Sequence, residues 1–85
     1  MSYAITYVPS AAKALRKLDR PSAQRLLQAI QGLASDPRPP GCIQLSGGDG
    51  ELRIRVGDYR IIYDVVDEEL LILVLRVGHR RQIYR

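Results

Sequence analysis

The stretch ELRIRVGDYRIIYDVVDEELLILVLRV, residues 51–77, consists of three runs of β-branched, aromatic and aliphatic residues cut by Gly57-Asp58 and by Asp67-Glu68-Glu69. Gaps this short cannot hold a crossover, so Glu51–Val56, Tyr59–Val66 and Leu70–Val77 are expected as neighbouring antiparallel strands. In the first, Leu52, Ile54 and Val56 alternate with Glu51, Arg53 and Arg55. The apolar set needs a covering layer, which leaves Arg53 and Arg55 on the open face, ~7 Å apart. In the second, Tyr59, Ile61, Tyr63 and Val65 share one face and Arg60, Ile62, Asp64 and Val66 the other, with Arg60 assigned to the open face. Leu70–Leu75 is apolar on both faces. Either part of it stays exposed for an apolar protein partner, or the strand is central and its second face is covered by surrounding side chains and the tail.

Upstream, Cys42–Leu45 reads as a brief strand and Ser46-Gly47-Gly48-Asp49-Gly50 as a glycine-rich turn that lacks the spacing and lysine of a P-loop. Asp36-Pro37-Arg38-Pro39-Pro40-Gly41 cannot continue a helix, because its prolines remove donors and restrict the residues before them. Before it, Ala23, Leu26, Leu27, Ile30, Leu33 and Ala34 form one helical stripe, in a helix opened by Asp19-Arg20-Pro21 and running to about Ser35. Ser10–Leu18 reads as another amphipathic helix, with Ala11, Ala12, Ala14, Leu15 and Leu18 inward and Lys13, Arg16 and Lys17 outward. Tyr3–Val8 alternates as a short strand ending at Pro9. The expected architecture is α+β: an N-terminal strand, an α-helical hairpin, then an antiparallel β-meander forming a small twisted sheet. The helices lie on one sheet face, and residues 1–85 form a single domain.

The chain has 85 residues, 46% of them hydrophobic and 26% charged, a globular rather than a disordered usage. A domain this small has a thin margin of stability. Cys42 is the only cysteine and His79 the only histidine, which excludes an internal disulfide and leaves no zinc-ligand set. No apolar run is long enough to span a membrane and the N-terminus lacks signal-peptide features, so a cytoplasmic protein without metal or cofactor is expected. The formal net charge is +4, a mild lean towards phosphate-bearing partners. Eleven of the 13 basic residues are arginine, the side chain suited to forked phosphate recognition, although a GC-rich genome would give the same bias.

The tail Gly78-His79-Arg80-Arg81-Gln82-Ile83-Tyr84-Arg85 gathers cations, an imidazole and a phenol. His79 has an ordinary pKa of ~6.5, suited to proton transfer near neutrality, though a lone histidine is more often structural or solvated. Tyr84 is either a loosely packed aromatic or a platform for an unpaired base.

The run from Leu52 to Val65, followed by acids, an aliphatic strand and "RVGHRRQIY" from Arg76 to Tyr84, resembles the RelE family of type II toxins. The Tyr-rich first strand, "AAKALRKLD" and "SDPRPPG" extend the likeness over nearly the whole chain. The resemblance implies a RelE-like toxin fold and a metal-independent endoribonuclease that cleaves mRNA in the ribosomal A site. The 2′-hydroxyl attacks the adjacent phosphodiester, leaving a 2′,3′-cyclic phosphate and a 5′-hydroxyl. It implies a stress-response role in translation inhibition and neutralisation by a cognate antitoxin, with operator DNA met only through the antitoxin complex. On the family pattern Arg53 and Arg55 bind phosphate, Arg55 also stabilising transition-state charge, and Arg60 holds the scissile phosphate. Arg80 lies near the leaving group, with Arg81 replacing it if the tail register differs, and Tyr84 stacks on or orients the RNA. Arg81 and Arg85 add phosphate contacts. Related toxins often carry lysine at the positions of Arg53 and Arg55. Arginine is a poor general base, which makes His79 the better titrating candidate. The rivals are a ParE-like DNA gyrase inhibitor and a non-catalytic RNA-binding or decayed toxin.

Overall fold

The computed structural model describes residues 2–45 and 50–79; the Ser46–Asp49 part of the glycine-rich turn and the tail from Arg80 lie outside them. The elements in chain order are β1 (Ala4–Tyr7), α1 (Pro9–Arg16), α2 (Arg20–Leu33), β2 (Ile43–Gln44), β3 (Leu52–Val56), β4 (Tyr59–Val66), a 3₁₀ turn (Asp67–Glu69) and β5 (Leu71–His79). The strands form one sheet in the order β1-β5-β4-β3-β2. The meander is antiparallel as expected, but β1 joins β5 in parallel, Ala4 opposite Leu71 and Tyr7 opposite Val74, so the sheet is mixed. The helical hairpin carries the chain from β1 to β2 at the opposite edge of the sheet, and the meander then returns to place β5 beside β1.

Local chemistry sets the boundaries. Pro9 is the first residue of α1 rather than merely the end of a strand, its fixed φ suiting the first helical turn. Asp19 caps α2, its Oδ2 accepting the Ser22 N–H at 3.1 Å. Gly57-Asp58 closes the β3–β4 hairpin with Gly57 at φ 61°. Leu70, expected within the last strand, instead leaves the 3₁₀ turn in a left-handed conformation at φ 50°.

Ala11 and Leu15 of α1 and Leu26, Ile30 and Leu33 of α2 pack with Leu52, Ile54, Ile61, Tyr63, Ile72, Val74 and Val77 as one buried cluster. These strand residues are the apolar alternating set, so both helices cover the same sheet face. Leu27, predicted in the stripe, is instead 37% exposed on the outer side of α2. The Tyr63 hydroxyl donates to the Pro37 carbonyl at 2.7 Å and anchors the proline loop to the core. Burial raises its pKa above the ordinary tyrosine value.

A second anchor is ionic. Arg38 donates to both oxygens of Asp67, at 3.3 and 3.0 Å, and the Tyr3 hydroxyl donates to Oδ1 at 2.6 Å. The Arg38 bonds, then that of Tyr3, hold the Asp67 carboxyl below its ordinary value, so the folded pKa is depressed. Stability from this contact is fully present above the unfolded carboxylate pKa of ~3.9 and is lost as the pH falls through the lower folded value. Both partners are half exposed, which keeps the effect modest. Asp67→Asn should lower the melting temperature by a few degrees at neutral pH, and the gap from the parent should close in thermal melts near pH ~2. An undiminished gap in acid would mean that the carboxylate charge is not what stabilises the contact.

Candidate nucleic-acid interface

The registers of β3, β4 and β5 determine what stands on the face away from the helices. Arg55 pairs with Arg60, and Arg60 with Gly78; in the next row Ile43, Arg53, Ile62 and Arg76 lie side by side. Four arginines thus share one end of the open face. Arg53, Arg55 and Arg60 are where strand alternation placed them.

Arg76 was not singled out from the sequence, and a bulge explains why. Tyr63 pairs with Val74 but Ile62 with Arg76, so Leu75 is an extra residue in β5. Alternation continued from Ile72 and Val74 would turn Arg76 towards the helices. The bulge reverses it, sending Arg76 to the open face and Val77 to the core.

The same reversal moves His79. It pairs with Tyr59, their rings meeting edge to face with centroids 5.8 Å apart, and it lines a recess with Ala14 of α1 and with Lys17 and Leu18 just beyond that helix. His79 therefore sits on the helix side of the sheet, away from Arg60. The sequence groups it with the tail residues beyond it, which the described residues do not include. Arg80, Arg81, Tyr84 and Arg85 lie outside the described residues.

Arg60 is the unusual member. It is only 8% exposed, and among the described residues its one hydrogen bond is from Nη1 to the neighbouring Tyr59 carbonyl at 3.3 Å, while its buried Nε has no partner. No described carboxylate pairs with it, and Arg55 stands directly across the ladder, a like-charge pairing that disfavours the fold. A buried cation with spare donors among cations is costly to keep and well suited to an anion such as a phosphate. At the other end of the same face Leu71, Leu73 and Leu75 are half-buried. This lies between the two readings of the aliphatic strand: its inward residues are fully buried and its outward ones only partly covered. Among the described residues no helix is long and apolar enough to cross a membrane, and no His/Cys/Asp/Glu cluster could hold a metal.

Comparison with known proteins is consistent with this geometry. Residues 5–84 match the family described as ParE toxin of type II toxin-antitoxin system, parDE. Toxin RelG of Mycobacterium tuberculosis is 30% identical, with 100% of this chain and 99% of that protein aligned. The RelE chain in the archaeal RelE–RelB complex of Pyrococcus horikoshii superposes with a TM-score of 0.84 at 30% identity, covering 96% of this chain and 99% of that one. Isolated Escherichia coli RelE superposes with a TM-score of 0.82 at 26% identity, covering 98% and 92%. The likeness extends over nearly the whole chain in sequence and in fold, and the chain belongs to the RelE/ParE family of type II toxin–antitoxin toxins.

Proposed function

We propose that the chain is a ribosome-dependent mRNA endoribonuclease of the RelE type, held inactive by a cognate antitoxin. The observation that carries this reading is Arg60, a buried cation with a free donor on a sheet face that it shares with Arg53, Arg55 and Arg76. Such a face suits a phosphodiester that gains charge. As the 2′-oxygen bonds to phosphorus and the bond from phosphorus to the 5′-oxygen breaks, negative charge grows on the phosphorane oxygens. Pre-placed guanidinium groups favour that state over the ground state. One proton leaves the 2′-hydroxyl and one reaches the 5′-oxygen.

By the RelE resemblance Arg80 lies beside the leaving oxygen, where its fixed charge favours departure, and Tyr84 orients the RNA with its phenol placed to carry a proton. Arg53 and Arg55 bind flanking phosphates, with Arg81 and Arg85 as further contacts. The half-covered aliphatic end and the basic end together form the surface that an acidic or amphipathic antitoxin would cover, in keeping with the RelE–RelB complexes among the structural relatives.

Mapping of mRNA 5′ ends after brief induction tests the reading. In-frame cuts should appear with the parent chain and largely vanish with Arg80→Ala or Tyr84→Phe, both variants remaining folded. The family match also carries the ParE name, and intact mRNA with double-strand DNA breaks would assign the chain to gyrase inhibition instead.

A further inference from the structure

Between the last turns of α2, the proline loop and the outer edge of β3 lies a cleft of about 500 Å³, a size typical of small-ligand sites. Leu33, Pro39, Pro40 and Ile54 give it apolar walls.

Two of its features are not demanded by packing or by the sheet ladder. Gly32 lines it from the last turn of α2, a place where glycine is a poor helix former. A Cβ built on Gly32 meets no heavy atom within 4 Å, so no packing contact demands the glycine. The second feature is an interrupted ladder. The Leu45 N–H bonds the Glu51 carbonyl and Ile43 pairs with Arg53, so by the two-residue period Arg55 also turns its main-chain groups towards β2. β2 has ended there: its register continued by two residues would set Gly41 against Arg55, but Gly41 stands at φ 90° and no main-chain bond joins the two. The Arg55 N–H and C=O thus keep no main-chain partner on that edge, and Arg55 lines the cleft together with Asp36, whose carboxylate adds an acceptor.

We propose that this cleft receives a nucleobase of the RNA whose phosphates the neighbouring arginines hold, an inference that rests on the RNA-cleaving reading above. A heterocycle presents two apolar faces and a donor–acceptor edge, which match the walls and the single exposed peptide edge. One residue of free edge is too short for the ladder that an added peptide strand needs. Arg55 belongs both to the cleft and to the cationic face, so a phosphate on its guanidinium brings the attached base to the cleft mouth. Asp36 repels a phosphate but accepts from an exocyclic amine, which favours adenine, guanine or cytosine over uracil.

The test compares binding of a labelled RNA trinucleotide, AAA, with the same trinucleotide lacking its middle base, by fluorescence anisotropy on the intact chain. The parent should bind the complete RNA about tenfold more tightly, the usual consequence of seating one base. Gly32→Phe fills the cleft and should erase that difference. Gly32→Ala should raise the melting temperature and narrow the difference, which keeps the test decisive if the larger side chain prevents folding. Equal binding of the two RNAs by the parent, or an unchanged difference in the folded variants, would overturn the proposal. So would loss of antitoxin binding in Gly32→Phe with the base preference intact, since the cleft would then serve a protein segment. Cleavage mapping on the parent separates the two readings: mRNA cuts without a base preference remove only the cleft, whereas a parent that does not cut mRNA removes the reading beneath it.

Discussion

Arg60→Met should make the folded chain more stable and leave it inactive. The native side chain is 8% exposed, its Nε has no partner, and Arg55 faces it across the ladder. Methionine has a similar reach, packs without a charge and removes the repulsion. Replacing buried charge by well-packed apolar groups is often neutral or stabilising by ~1–4 kcal/mol, and the lower end fits here because one hydrogen bond to Tyr59 is lost. Loss of one pre-placed group for transition-state charge should reduce cleavage ~10²–10³-fold. Urea denaturation and mapped mRNA cleavage read the two effects separately. A buried arginine serving only the fold would give the opposite stability sign, because the groups it satisfies would be left unpaired. Added phosphate supplies a second check: an anion bound at Arg60 should raise the melting temperature of the parent more than that of the variant.

The opposing signs of that prediction show why part of the site was legible in the sequence. Strand alternation rests on a period of two that holds wherever a strand is regular. Arg53 and Arg55 in β3 and Arg60 in β4 were therefore placed correctly by pattern alone. The same reasoning failed in β5, where one extra residue at Leu75 reverses the faces beyond it. The run Leu70–Leu75 is apolar throughout and carries no polar residue to mark the shift. The Arg-Val-Gly order that follows was the available signal, since Val77 needs the core more than Arg76 does. The parallel pairing of β1 and the contact of Tyr3 with Asp67 join residues far apart in the chain, and no local pattern encodes them. Leu27 satisfied the helical spacing yet stayed outside because α2 meets the sheet along a narrower stripe than the count of its apolar positions suggested. Arg60 is 8% exposed between β3 and β5, a burial that the pattern of β4 alone does not encode.

The largest expected loss of stability falls on Tyr63, which is fully buried in the cluster beneath both helices and whose hydroxyl bonds the Pro37 carbonyl at 2.7 Å. Tyr63→Ala removes the ring and leaves a cavity, at a cost of ~3–5 kcal/mol by analogy with other buried aromatics. That is comparable to the whole stability of many domains of this size, so the isolated variant should be largely unfolded by circular dichroism. Tyr63→Phe keeps the ring and deletes one buried hydrogen bond, costing ~1–2 kcal/mol, and frees the proline loop from its anchor. Because that loop forms a wall of the cleft beside Arg55, Tyr63→Phe should disturb RNA binding more than its small stability loss would suggest. Binding of a folded-state partner adds stability by mass action, so excess antitoxin should refold Tyr63→Ala if the antitoxin recognises the native sheet. A variant that stays folded alone would show that the core tolerates the cavity, and one that antitoxin cannot recover would show that the partner does not select the native sheet.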